Sequence, residues 1–296
     1  MVVSGSARVR AGVGDLLPRP VAREARVMAI RARRPPPPFR PVEVARVERR
    51  TPRMVRVWLA GGALEGLVVD EPAASIRLLV PSPGAAGLVV PEWSGNEFLL
   101  PGGRRPLIRT FTPSLRAASD EALFLDVVDH PAGSVAAWAR AAAPGAPAAV
   151  SGPGRGHRFD GSASALVLLG DESALPAAAQ LVAARPPDLP VVAVFEVADR
   201  AAILGEVEAG PGVEVRWVVA PEGAPPGTAL VEAARDLVLP AGGRIWAAGE
   251  AAAMQRLRRS FFEDRGVDRR ATTIRGYWKH GRAGDEPEEG EDPARS

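Results

Sequence analysis

Several short stretches carry residue types at spacings that could do chemistry. The first is "RTFT", residues 109–112, at the end of a strand-like run. Strand alternation puts Arg109 and Phe111 on one side and Thr110 and Thr112 on the other. A planar guanidinium at Arg109 can grip a pyrophosphate through paired hydrogen bonds, Phe111 can stack on a flat ring, and Thr112 offers a hydroxyl beside it. The second is "DHPAGSVAAWA", residues 129–139, where Asp129 and His130 precede a helix opened by Gly133, Ser134 and Val135. Ser134 is the expected N-cap, and the first N–H groups of such a helix suit a phosphate. The third is "GDESALP", residues 170–176, with Gly170, Asp171, Glu172 and Ser173 where an apolar strand meets a helix. Open parallel sheets bind ligands at that strand end. No G-x-G-x-x-G accompanies it. "AAGEAAAMQRLRR", residues 247–259, brings Gly249 and Glu250 to the same edge. "EVADR", residues 196–200, offers Asp199 for a ribose hydroxyl and Arg200 for a 2′-phosphate.

A further stretch, "GYWKHG" at 276–281, holds the chain's only Lys, Lys279, among 37 Lys and Arg, and its only Tyr, followed by Trp278. Where every other one of them is Arg, one retained ammonium reads as a ligand contact. It is compact and flexible where a guanidinium is a rigid fork.

The elements that must position these residues fall into two textures. Short strand-like runs from 42 to 151, punctuated by Gly, Pro and acidic residues and interrupted by one Ala-rich helix at 134–143, predict an antiparallel β-barrel. From 164 onward strands alternate with helices: "ALVLLG", "VVAVFEVA", "VEVRWVVA" and "RIWAAG" each lead into a helical pattern, "DRAAILGEVE" among them. That alternation predicts a doubly wound parallel sheet covered on both faces. The expected division is a flexible arm over 1–40 ending in "RRPPPPFRP", a barrel over 41–157, an α/β domain over 158–284 and a disordered acidic tail over 285–296. Met28 is an alternative start.

Composition narrows the function classes. Hydrophobic content of 46% and charged content of 24% belong to a globular protein, and the net charge of +2 argues against a general nucleic-acid binder. The absence of Cys excludes disulfides, iron–sulfur clusters and thiolate zinc, and three scattered His make no metal site. With no long apolar run and no leader pattern, the expectation is a cytoplasmic monomer without membrane or nucleic-acid partners.

Taken in order, the motifs resemble those of one family. "RTFT" resembles the R-x-Y-[ST] flavin motif of the ferredoxin-reductase superfamily. "GDESALP" is similar to the G-D-E-T-A-L-P of siderophore-interacting proteins, the FAD-dependent ferric-siderophore reductases. "AAGE", "GYWKHG" and the opening over 34–61 resemble that family too, and the resemblance spans about 34–284. It implies FAD held by the pyrophosphate ligand Arg109, with Thr110, a stacking Phe111 and Thr112 near N5, while Asp129, His130, Gly133, Ser134 and Val135 line the ribityl and phosphate chain. It implies NADPH or NADH as electron donor beside Gly170, Asp171, Glu172, Ser173, Asp199, Arg200, Gly249 and Glu250. Arg77, Trp278 and Lys279 would face an anionic ferric siderophore. Three departures stand out: Phe111 replaces the usual Tyr, Ala136 stands where the family's helix start has Ser, and "SIRL" puts Ser75 and Arg77 in place of His and Lys. Two alternatives stay open: a flavin- or ferredoxin-linked oxidoreductase of the same superfamily, and a siderophore-binding protein without catalysis.

Overall fold

The computed structural model describes residues 36–131, 133–208 and 210–281. The arm read over 1–40 lies outside them save for its last five residues, of which Arg40 already opens the first strand, and the tail over 285–296 lies outside them entirely.

The N-terminal module is built from β1 (Arg40–Thr51), β2 (Met54–Ala60) and β3 (Ile76–Val80), a small hairpin of β4 (Glu92–Trp93) and β5 (Phe98–Leu99), then β6 (Leu107–Phe111), β7 (Ala122–Val128) and β8 (Pro147–Ser151). Alternation drives it: Val42 and Val44 point inward while Glu43 and Ala45 face water. Val55, Val57 and Leu59 of β2 join them in one core. The antiparallel sheet runs β6-β3-β8-β1-β2-β7. Its two ends meet just past β6, where Pro113 bridges Leu125 and the Ser114 N–H donates to Phe124 O at 2.8 Å. Helix α1 (Ser134–Ala141) adds Val135, Ala136 and Ala139 to this core.

The second module comprises β9 (Leu166–Asp171), α2 (Leu175–Ala184), β10 (Val191–Val197), β11 (Val213–Val219), α3 (Thr228–Arg235), β12 (Arg244–Glu250), α4 (Ala251–Arg259) and β13 (Thr272–Trp278). All five strands are parallel, in the order β11-β10-β9-β12-β13. Helix α2 covers one face, while α3 and α4 cover the other. The strand order reverses between β9 and β12, so the crevice outside their C-terminal ends is where such a sheet takes ligands.

Two elements depart from the sequence reading. "DRAAILGEVE" forms no α-helix but two short 3-10 turns, Arg200–Ala202 and Gly205–Glu208. The Asp199 carboxylate accepts the Ala201 N–H at 2.7 Å and tightens the first turn. Gly205 and the following Gly210-Pro211-Gly212 leave too short a run to nucleate a helix. The fifth parallel strand, β13, has no apolar run to announce it: only Ile274 of its seven residues is buried.

The modules meet in a packed junction. Met54, Ala73 and Val128 of the barrel pack in the cluster beneath α2. Gln180 of α2 donates to Pro113 O at 2.6 Å and accepts the Ala73 N–H at 3.0 Å. Arg53, in the turn between β1 and β2, donates its Nε to both oxygens of Glu172 at 2.9 Å, and Glu172 also accepts the Ala198 N–H at 2.7 Å.

Candidate active site

The C-terminal edge of the parallel sheet gathers much of the expected nucleotide set. Asp171 ends β9 as the hub. Its Oδ1 accepts the Ser173 N–H at 2.9 Å and the Ser173 hydroxyl at 2.5 Å. Its Oδ2 accepts the Glu250 N–H and the Trp278 indole N–H, each at 2.8 Å. Burial pushes the Asp171 carboxyl above its ordinary value, against the pull of those four donors. Gly249 has no Cβ because one would lie 2.6 Å from Asp171 Oδ2, and its φ of +154° is one that side chains rarely adopt. Gly170 is equally constrained, since a Cβ there would come within 2.7 Å of Ala248 O. Asp199 and Arg200 lie exposed at the same edge, just past β10.

Two carboxylates of that set have other tasks. Glu172 is buried at the domain junction, paired with Arg53 rather than open to the crevice. Glu250 is buried as the N-cap of α4: its Oε2 accepts the Ala253 N–H at 2.8 Å, and its Oε1 accepts the His280 N–H at 3.3 Å. Their side chains shape the edge and are not available to a ligand.

The barrel contributes the other half. Arg109 and Phe111 share the inner face of β6, opposite Leu78 and Ile76 of β3, and Phe111 packs half-buried against the barrel core. Arg109 donates Nη1 to the Ile108 carbonyl at 2.7 Å. Thr110 faces outward across from Arg77, which also pairs with Ser151 of β8. Helix α1 lies against β6 and β7. Its N-cap is Gly133, with extended backbone and no capping side chain, and Ser134 is the first helical residue instead of the expected cap. Glycine is required there: a Cβ would fall 2.5 Å from the His130 ring. The Asp129 side chain is engaged by Arg49 at 3.1 Å and by Arg140. Burial opposes its ionisation, but those guanidinium groups prevail and hold its pKa below the ordinary value. Burial and the nearby Arg53 guanidinium hold the His130 imidazole below its ordinary value.

The "GYWKHG" segment joins the halves. Tyr277 is in polar side-chain contact with Thr112, while its ring meets Trp246 edge-on at 6.3 Å. One residue later, Trp278 reaches Asp171. Lys279 is exposed and makes no ion pair among the described residues. Arg275 is exposed on the same strand, and its charge acts on both Tyr277 and His157. The sequence reading missed Arg275, hidden among many arginines. It also missed Glu196, which accepts the Gly227 and Leu230 N–H groups at 2.6 and 2.9 Å and so caps α3. A lone carboxylate inside the apolar run "VVAVFEVA" was the available signal.

This geometry makes Asp171 a testable joint. Asp171→Asn turns one acceptor oxygen into a donor that faces N–H groups. We expect a loss of about 1–2 kcal/mol, from one donor left without an acceptor. Trp278 should become more mobile, read as a change in tryptophan fluorescence anisotropy alongside a lower melting temperature.

Known proteins share this arrangement. Residues 43–157 match the siderophore-interacting FAD-binding domain, and residues 163–281 match the siderophore-interacting protein domain. The chain belongs to the siderophore-interacting protein family. A siderophore utilization protein from T. fusca is 37% identical, with a TM-score of 0.74 over 84% of this chain and 95% of that one. The siderophore-interacting protein SipS from Aeromonas hydrophila is 28% identical, with a TM-score of 0.67 over 83% of this chain and all of that one. The NADPH-dependent ferric-chelate reductase of Escherichia coli is 32% identical over 139 residues, 47% of this chain and 54% of that protein. The antiparallel barrel followed by a five-stranded parallel sheet is the ferredoxin-reductase-like fold. Among the described residues no helix is long and apolar enough to cross a membrane, and no cluster of His, Asp or Glu is placed to hold a metal.

The residues present fit FAD. The half-buried ring of Phe111 lies two residues from Arg109 on the inner face of β6. The uncapped start of α1 lies against that strand's module, with Gly133 keeping the approach free of a side chain. The engaged Asp129 carboxylate leaves only backbone groups from that residue to offer.

Proposed function

We propose that the protein is an NAD(P)H-dependent, FAD-containing ferric-siderophore reductase. One observation carries the reading: adjacent residues of β13 touch both halves of the site, Tyr277 at Thr112 and Trp278 at Asp171. The end of the flavin-motif strand and the switch-point crevice of the parallel sheet are therefore held side by side. When bound, FAD supplies the step from two-electron donor to one-electron acceptor. The protein's own part is to hold and orient. Arg109 grips the pyrophosphate, Phe111 backs the ring, and the edge around Asp171, Asp199 and Arg200 receives the nucleotide. Arg200 can take a 2′-phosphate while Asp199 suits a free ribose hydroxyl, so the likeness to an NADPH-dependent ferric-chelate reductase is what inclines the assignment to NADPH. Arg77 and Lys279 supply a cationic approach for an anionic ferric chelate.

The deciding experiment is anaerobic stopped-flow on the FAD-loaded protein. NADPH or NADH should bleach the flavin, and a ferric siderophore should restore it while a ferrous trap develops colour. Failure to take up FAD, or bound flavin that neither nucleotide reduces, would sink the reading.

Lys279→Ala tests the landing surface. We expect about a tenfold rise in apparent KM for an anionic chelate at low salt, since an exposed charge acts through screened solvent. Flavin reduction by the nucleotide should be unchanged, and the effect should fade as ionic strength rises. Lys279→Arg should fall between the two. Identical kinetics for all three proteins would remove Lys279 from the site.

A further inference from the structure

A second cationic cleft lies at the opposite, N-terminal edge of the parallel sheet. The segment 155–160 forms one wall, and the starts of β12 and β13 form the other. We propose that this cleft binds a small polyanion carrying two or more carboxylate or phosphate groups.

Five arginines line it. Two are neutralised within reach of the cleft: Arg158 by Glu71 at 2.6 Å, and Arg244 by Asp160, with its Nε at 2.9 Å. The other three, Arg155, Arg270 and Arg275, make no ion pair among the described residues, although Arg155 acts on Glu71 at longer range. Three unpaired guanidinium groups around one concavity repel one another, and low-dielectric walls concentrate their field. The Thr273 hydroxyl also lines the cleft, and Phe159 and Trp246 contribute apolar surface. His157, another lining residue, is held below its ordinary value by burial and by Arg275, and its ring nitrogens offer hydrogen-bonding capacity.

Size sets the ligand class. The cleft holds about 270 Å³, just below the ~300 Å³ at which pockets for drug-sized ligands begin. It suits a compact polycarboxylate or pyrophosphate group. It lies at the other end of the strands from Asp171, and so is separate from the nucleotide edge. Arg275 connects it to the site: three residues further along β13, Trp278 is hydrogen-bonded to Asp171. The anion has two sources, a free metabolite or the anionic arm of a ferric chelate, and both present the same oxyanions to the arginines.

The test is calorimetric titration of the full chain in saturating FAD at low salt, using pyrophosphate, citrate and ferric citrate in separate arms. We expect one-to-one binding that weakens as salt rises. The double variant Arg155→Ala/Arg270→Ala should lose about tenfold or more in affinity, as expected when two nearby charges are removed. Arg216→Ala, on the exposed edge strand β11, removes a charge elsewhere and should bind like wild type. Both double-variant residues are exposed, and unchanged circular dichroism will confirm the fold. Loss confined to free citrate and pyrophosphate assigns a metabolite; loss for ferric citrate as well assigns the chelate. Wild-type affinity in the double variant, an equal loss in Arg216→Ala, or no binding at all would overturn the proposal. None of these readouts needs flavin reduction, so the result is independent of the reductase reading.

Discussion

Arg109→Ala is expected to lower FAD affinity by about a hundredfold while the chain stays folded. A guanidinium fork makes paired, charge-assisted bonds to a pyrophosphate. Each is worth about 1.5–3 kcal/mol, so losing two costs roughly 3 kcal/mol or more, two orders of magnitude in Kd. The side chain is oriented before any ligand arrives: Nη1 donates to the Ile108 carbonyl at 2.7 Å. Neighbours on the same face supply the barrel core, with Leu107 buried and Phe111 packed against it, so removing the polar head should leave the core intact. Flavin absorbance retained after exhaustive dialysis, and a fluorescence titration of stripped protein, give the number. Arg109→Lys should recover part of the affinity, since it restores charge without the fork. A variant that keeps its full complement of FAD would show that the pyrophosphate is held elsewhere.

Glu172→Ala should cost about 3 kcal/mol of stability, within the range for breaking a buried ion pair and leaving its partner behind. The Glu172 side chain is only 8% exposed and Arg53 is 32% exposed, which places the estimate at the lower end. The substitution strands the Arg53 guanidinium and the Ala198 N–H together. In a domain of this size we expect the melting temperature to fall by roughly 5–10 °C. Glu172→Gln keeps an acceptor for Ala198 and should lie between. A melting curve unmoved by the alanine variant would mean that the apolar contacts of Met54, Ala73 and Val128 hold the junction unaided.

The sequence made the parallel sheet legible because β9, β10 and β12 are continuous apolar runs, which only a sheet covered on both faces requires. The barrel showed through period-two alternation such as Val42, Glu43, Val44. The pattern hid β13, whose residues are mostly exposed: an edge strand needs little apolar content, and its last residue, Trp278, is held by a polar bond to Asp171. It also suggested a helix after β10 where Gly205 and the Gly-Pro-Gly that follows permit only turns. At the site, the hub Asp171 was visible in "GDESALP", but the tasks of its neighbours were not. Glu172 and Glu250 look alike in sequence, as acids just past strand ends. What distinguishes them from ligand contacts is long-range: Arg53 lies 119 positions before Glu172, and His280 lies 30 positions after Glu250. No local pattern encodes such pairings.

The junction bears on how two-module proteins of this family can be recombined. Arg53 and Ala73 belong to one module, Glu172 and Gln180 to the other, and each pair completes a part-buried polar contact across the boundary. A chimera that grafts this barrel onto a foreign α/β module would leave a half-buried guanidinium and an amide without their acceptors unless it imported both partners. The two halves therefore behave as a matched lock rather than as interchangeable cassettes, and residues 172 and 180 are the places to look when a swapped domain fails to fold.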